Sequence, residues 1–142
     1  VSDDHRVTLE RICREFHVAI LYVFGSRAEE VRDWLNGLRP ELTPGPSDLD
    51  VGVKVAPGTK WTLADRVRLA VVLEDWFDCN RVDLIALDTA NAFLAEEIIR
   101  GERLYAQDEY QADEYDLYVQ RRAGDQAALE RAKFAQALEQ FP

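Results

Sequence analysis

Residues 18–28 read VAILYVFGSRA and residues 47–53 read SDLDVGV. The first is a continuous β-branched and aromatic run that stops at Gly25-Ser26. Such a run predicts a buried strand, and the glycine–serine pair predicts a turn that opens a helix. Glycine lets a backbone come close to a phosphate, and a helix start offers free N–H groups and a favourable dipole to an anion. Ser26 is a candidate N-cap and hydroxyl donor. Arg27 adds a forked, permanently positive group. In the second stretch Leu49, Val51, Val53 and Val55 alternate with Asp48, Asp50, Gly52 and Lys54, the period of a strand. Asp48 and Asp50 leave the same face about 6–7 Å apart, a spacing from which two carboxylates can converge on divalent metal. Gly52 continues that face without a side chain and leaves room for a ligand.

A third carboxylate, Asp83, interrupts the apolar run VDLIAL at residues 82–87. If that strand lies beside the Asp48–Asp50 strand, Asp83 faces the same site. Three carboxylates with triphosphate oxygens make a hard, oxygen-rich shell suited to Mg²⁺ or Mn²⁺. Each piece has a plainer reading alone: a turn, a solvated strand start, a surface pair of Asp83 with Arg81. Their combination in this order points to a metal–nucleotide site.

Working outward, residues 7–16 predict a short helix with Val7, Ile12, Cys13 and Phe16 on one side. After Ser26 a helix carries Ala28, Val31, Trp34, Leu35 and Leu38 at helical spacing. Residues 39–47, with Pro40, Pro44, Gly45 and Pro46, predict a loop. Residues 61–77 predict the longest apolar-periodic helix, through Trp61, Ala64, Val67, Ala70, Val71 and Glu74. Residues 81–87 predict a third strand and residues 89–99 a helix ended by Gly101. Residues 104–106 predict a short strand. From Asp108 the chain is polar and helix-prone, with a break at Gly124. This order suggests α/β or α+β, with three to four strands in one sheet. Periodicity leaves open whether the first two strands are parallel or antiparallel.

A chain of 142 residues with 47% hydrophobic content fits one soluble domain with a real core, residues 1–142. No window approaches a membrane span, and no signal segment opens the sequence, so a cytoplasmic location is expected. The sequence begins at Val1 and holds no methionine, which leaves its natural start open. The net charge of −10 argues against broad, phosphate-driven binding of DNA or RNA. It suits a basic protein partner and does not exclude a nucleotide, because metal can neutralise an acidic cluster and a triphosphate together. Cys13 and Cys79 lack metal-ligand spacing and read as reduced core thiols. His5 reads as terminal and solvated, His17 as a helix-end residue, Trp61 and Trp76 as core. Trp34 is either core or part of a nucleotide pocket. Tyr110, Tyr115 and Tyr118 read as helix packing.

FGSRA, then SDLDVGV, then a strand with a lone aspartate resembles the minimal nucleotidyltransferases of the DNA polymerase beta superfamily, over roughly residues 5–106. The following segment, residues 98–105 and then EYDLYVQRR, resembles the MNT antitoxins that pair with HEPN-domain toxins. The resemblance implies a mixed sheet flanked by helices, with a helical tail over about residues 107–142. It implies transfer of a nucleoside monophosphate from an NTP, ATP by family expectation, to a hydroxyl. Carried over by position, Gly25 and Ser26 would hold the β- and γ-phosphates with Arg27 assisting. Asp48 and Asp50 would bind metal, and Asp83 would be the third ligand and help remove the acceptor's proton.

Two features depart from the family pattern. The separation of Ser26 from Asp48 is longer than usual, and Glu29 and Glu30 stand where a glycine often follows. An acidic residue there would weaken nucleotide binding. Arg11 and His17 approach the spacing of a HEPN Arg…His-x-Tyr motif, but Ala19 occupies the tyrosine position, so that match is coincidental. The leading expectation is an antitoxin that transfers AMP to a tyrosine of a HEPN-type toxin. The alternatives are a non-enzymatic antitoxin that acts by binding and a nucleotidyltransferase for a small molecule such as an aminoglycoside.

Overall fold

The computed structural model describes residues 2–44 and 48–141. In chain order the elements are α1 (Ser2–Glu15), β1 (Val18–Phe24), α2 (Ala28–Leu35), β2 (Leu49–Val55), α3 (Leu63–Phe77), β3 (Val82–Ala86), α4 (Ala92–Ile99), β4 (Glu102–Ala106) and α5 (Glu109–Glu139). A 3₁₀ turn, Leu87–Thr89, precedes α4. The expected loop over residues 39–47 is described only as far as Pro44; Gly45, Pro46 and Ser47 lie outside the described residues.

The strands form one mixed sheet in the order β3-β2-β1-β4. β1 pairs antiparallel with both β2 and β4, and β2 pairs parallel with β3. The question that periodicity leaves open is thus settled as antiparallel for the first two strands. β1 is central and covered on both faces, which explains its unbroken apolar run. Leu21 and Val23 join the core under α1, α2 and α3, whereas Ile20, Tyr22 and Phe24 join the core under α4 and α5. Burying each such side chain contributes roughly 1.5–3 kcal/mol. β3 is an edge strand whose outer backbone is occupied by α3: Val82 N–H donates to Glu74 Oε2 (2.9 Å) and Arg66 donates to the Leu84 carbonyl (3.1 Å). That blocks edge-to-edge pairing.

Several sequence expectations change. α1 starts well before Val7. His5 is not solvated: its ring stacks on Trp34 with centroids 4.0 Å apart, and Nδ1 lies 3.1 Å from the Trp34 carbonyl oxygen. Trp34 is buried in the core cluster, which resolves its alternative. α3 starts at Leu63 after a capping box between Thr62 and Asp65. It buries Leu69, Leu73 and Phe77 and leaves Val67 and Val71 exposed. The helix carries two apolar stripes, and the one with larger side chains faces the sheet. Gly124 does not break α5, which is continuous. A lone glycine costs a helix about 1 kcal/mol, too little to stop a long one. Cys13 is buried and Cys79 half-buried, and both are free thiols. Among the described residues no helix is long and apolar enough to cross a membrane.

Candidate nucleotidyltransferase site

The parallel register of β2 and β3 places Asp50 directly beside Asp83. On its other side Asp50 is paired with Phe24, the last residue of β1. The chain then turns at Gly25, whose φ is +79°, a left-handed conformation that favours glycine. A Cβ at Gly25 would stand 2.6 Å from Asp50 Oδ2. The glycine–serine turn and two of the three carboxylates therefore meet at one end of the sheet. Asp48 lies just before β2, with Arg81 Nε 3.7 Å from its Oδ2. Gly25, Ser26 and Asp83 are exposed, and Asp48 and Asp50 are half-buried.

The electrostatics are those of crowded like charges. Burial raises the Asp50 carboxyl above its ordinary range, and the neighbouring carboxylates of Asp83, Asp48 and Glu97 raise it further. Glu97, on α4, is a fourth acidic group that strand-pattern reasoning misses, because only the packing of α4 against this face of the sheet brings it near. Hard oxygen donors in repulsive contact suit a divalent cation, so the donor set fits Mg²⁺ or Mn²⁺ chemically. The side chains are not gathered for it: among the described residues no group of three or more His, Cys, Asp or Glu is arranged to hold a metal ion. Asp48 turns instead toward Arg81.

Two expectations about the site need correction. Gly52 does not leave space for a ligand, because a Cβ there would lie 2.4 Å from Ile98 Cγ2; α4 uses that space for packing. Ser26 does not cap α2. Arg27 occupies the cap position, with no side-chain cap hydrogen bond. The Arg27 side chain is committed within the protein: Nη2 lies 3.0 Å from Glu30 Oε1 and donates to the Thr43 carbonyl at 2.6 Å. Glu30 in turn accepts from the Thr43 N–H. Hydrogen bonding to Arg27, with a further contribution from the Thr43 N–H, holds the Glu30 carboxyl below its usual range. Glu30 is thus an anchor for the loop after α2, and its charge is balanced. The three-residue spacing of Arg27 and Glu30 signals their pairing, but the sequence gives no sign that Thr43 joins them.

A four-stranded mixed sheet with helices on both faces, and acidic residues on two adjacent strands beside a glycine–serine turn, defines a nucleotidyltransferase-type α/β domain. The model of the polymerase beta nucleotidyltransferase family matches residues 8–110, and the chain belongs to that family. A comparison with curated proteins gives no match. Among solved structures, the chain resembles one from a toxin–antitoxin with AMP-PNP at 17% identity, covering 94% of this chain and 98% of that one, with a TM-score of 0.67. It also resembles a chain from a tri-AMPylated Shewanella oneidensis HEPN toxin in complex with MNT antitoxin. There the identity is 16%, the coverage 97% and 99%, and the TM-score 0.65. A minimal nucleotidyltransferase is 26% identical over 70% of this chain and 88% of its own, with a TM-score of 0.52. The first two likenesses are of fold.

Proposed function

We propose that this chain transfers AMP from ATP to a tyrosine hydroxyl of a HEPN-type toxin and so silences it. The observation that carries the reading is the placement of Asp83 directly beside Asp50, next to the Gly25 turn. The similarity in fold to chains from a toxin–antitoxin with AMP-PNP and from a tri-AMPylated HEPN toxin complex supports the nucleotide and the partner.

Asp48, Asp50 and Asp83 would hold Mg²⁺ or Mn²⁺, which supplies charge neutralisation at the α-phosphate. The Gly25 and Ser26 backbone and the Ser26 hydroxyl bind the β- and γ-phosphates at the start of α2. Arg27 contributes indirectly, fixing the adjoining loop through Glu30 and Thr43. The acceptor oxygen forms a bond to the α-phosphorus as the bond to the β-phosphate oxygen breaks, and pyrophosphate leaves. Asp83, exposed on the edge strand, receives the acceptor's proton. Positioning of the two reactants supplies much of the rate.

A second reading is favoured by the ion pair of Asp48 with Arg81 and the commitment of Arg27 to Glu30: the same domain neutralises a toxin by binding alone. Asp48→Asn and Asp50→Asn separate the two. Under transfer, each lowers AMP incorporation into the HEPN protein by at least about a hundredfold and abolishes neutralisation while leaving the complex intact. Unchanged neutralisation in both variants would establish binding alone.

A further inference from the structure

α5 is longer than the sheet it covers. Gln111, Ala112 and Tyr115 line a cavity with Ala19 and Ile20, and Asp116 accepts a hydrogen bond from the Tyr22 hydroxyl. The helix therefore runs in the same sense as β1, toward Gly25. Ala123 is the last buried residue among those described in α5. The remaining stretch, residues 124–139, extends roughly 24 Å at 1.5 Å per residue. Apart from Leu129, which is 48% exposed on another face, its larger apolar side chains follow one stripe. The buried stripe Ala112, Val119, Ala123 continues at helical spacing through Ala127, Phe134 and Leu138 to Phe141 just past the helix end. Phe134, Leu138 and Phe141 are 67%, 55% and 74% exposed. Glu130 is the one charged residue along that overhanging stripe.

We infer that this overhang is the docking arm for the acceptor, and that its occupant is a basic protein presenting an apolar helical face. The inference rests on the proposed transfer to a protein, and names the surface that presents that protein to the site. Direction supports it, because the stripe leaves the domain at the end of the sheet where Gly25, Asp50 and Asp83 meet. Charge selects the occupant. Residues 107–141 carry eight acidic and four basic side chains, and the chain as a whole is at −10. That disfavours a second copy of this chain and favours a partner of opposite sign. Phenylalanine and leucine at such spacing are the anchors of helix-to-groove or helix-to-helix recognition.

The test uses the full chain with the purified HEPN-domain protein that the proposed function names as acceptor. The paired substitution Phe134→Glu with Leu138→Glu lies on exposed side chains, so circular dichroism and ATP affinity should match the parent. Binding of the HEPN protein should weaken at least tenfold, and its KM in AMP transfer should rise with kcat unchanged. Gln136→Glu, about half a turn around the helix from both Phe134 and Leu138 and exposed, should leave both unchanged. Equal binding by the parent and the paired variant would overturn the docking arm. So would a parent dimer that the paired variant converts to monomer. Stripe-dependent binding without any AMP transfer would leave the arm standing and refute the transfer.

Discussion

Gly25 and Asp50 sit so close that a single added methyl carbon on the glycine would stand 2.6 Å from the Asp50 carboxylate. The turn that would cradle phosphates and the strand that would hold metal are thus one packed unit. Gly25→Ala forces a left-handed φ onto a side chain and displaces the Asp50 carboxylate from its place between the Gly25 turn and Asp83. A stability loss of about 1–2 kcal/mol is expected from the backbone alone. Transfer should fall far more than that loss explains, because Asp50 itself moves. Chemical denaturation beside a transfer assay checks both, and full activity in a folded Gly25→Ala protein would refute the coupling.

Asp50 opposes stability in the metal-free protein. Its carboxyl is raised in the folded state, so the folded state binds its proton more tightly than the unfolded state does. Stability from this group therefore falls as pH rises from its unfolded pKa through its raised folded one. Asp50→Asn should raise Tm at neutral pH without metal. The advantage should shrink as pH drops through the raised folded pKa toward the unfolded one. Mg²⁺ should raise the Tm of the parent and do little for the variant. A parent and variant with the same Tm at every pH, with or without Mg²⁺, would contradict this balance.

Gly52 tests the packing of α4. Gly52→Ala should cost about 1–3 kcal/mol by overpacking against Ile98. In an Ile98→Ala background, which lacks the clashing Cγ2, Gly52→Ala should cost much less. Additive losses in the double variant, measured by urea unfolding, would show that the clash lies elsewhere.

Tyr22 is fully buried, and its hydroxyl donates to Asp116, which also lies 3.2 Å from Arg103. Burial, followed by the interaction with Asp116, pushes the Tyr22 hydroxyl well above its ordinary pKa. This network fastens α5 to the central strand. Tyr22→Phe removes the donor and should cost about 1–2 kcal/mol. Tyr22→Phe and Asp116→Asn together should cost less than their sum, because the two groups share one interaction. Strict additivity would argue that the network contributes nothing as a unit.

The sequence made much of this site legible, for identifiable reasons. VAILYVF reads best as a buried strand, and β1 is covered on both faces; a lone Asp83 in an apolar run calls for an explanation, and the register sets Asp50 beside it. What the sequence left out depends on packing between distant elements. The antiparallel course of β1 and β2 is invisible to periodicity, because either course buries the same residues. Gly52 has the same signature whether a ligand or Ile98 fills the space above it. α3 carries apolar residues on two stripes, and only the bulk of Leu69, Leu73 and Phe77 decides which one turns inward. The loop anchor of Arg27, Glu30 and Thr43 spans an insertion whose path no local pattern encodes. The overhang of α5 emerges only when its length is set against that of the sheet.

Transfer can be measured with purified HEPN-domain protein, Mg²⁺ and ATP labelled on either the α- or the γ-phosphate. Nucleotidyl transfer predicts label in the HEPN protein from the α-position alone, absent with Asp50→Asn. Label from the γ-position alone would identify phosphoryl transfer. A neutralised partner that carries no label from either position would contradict transfer altogether.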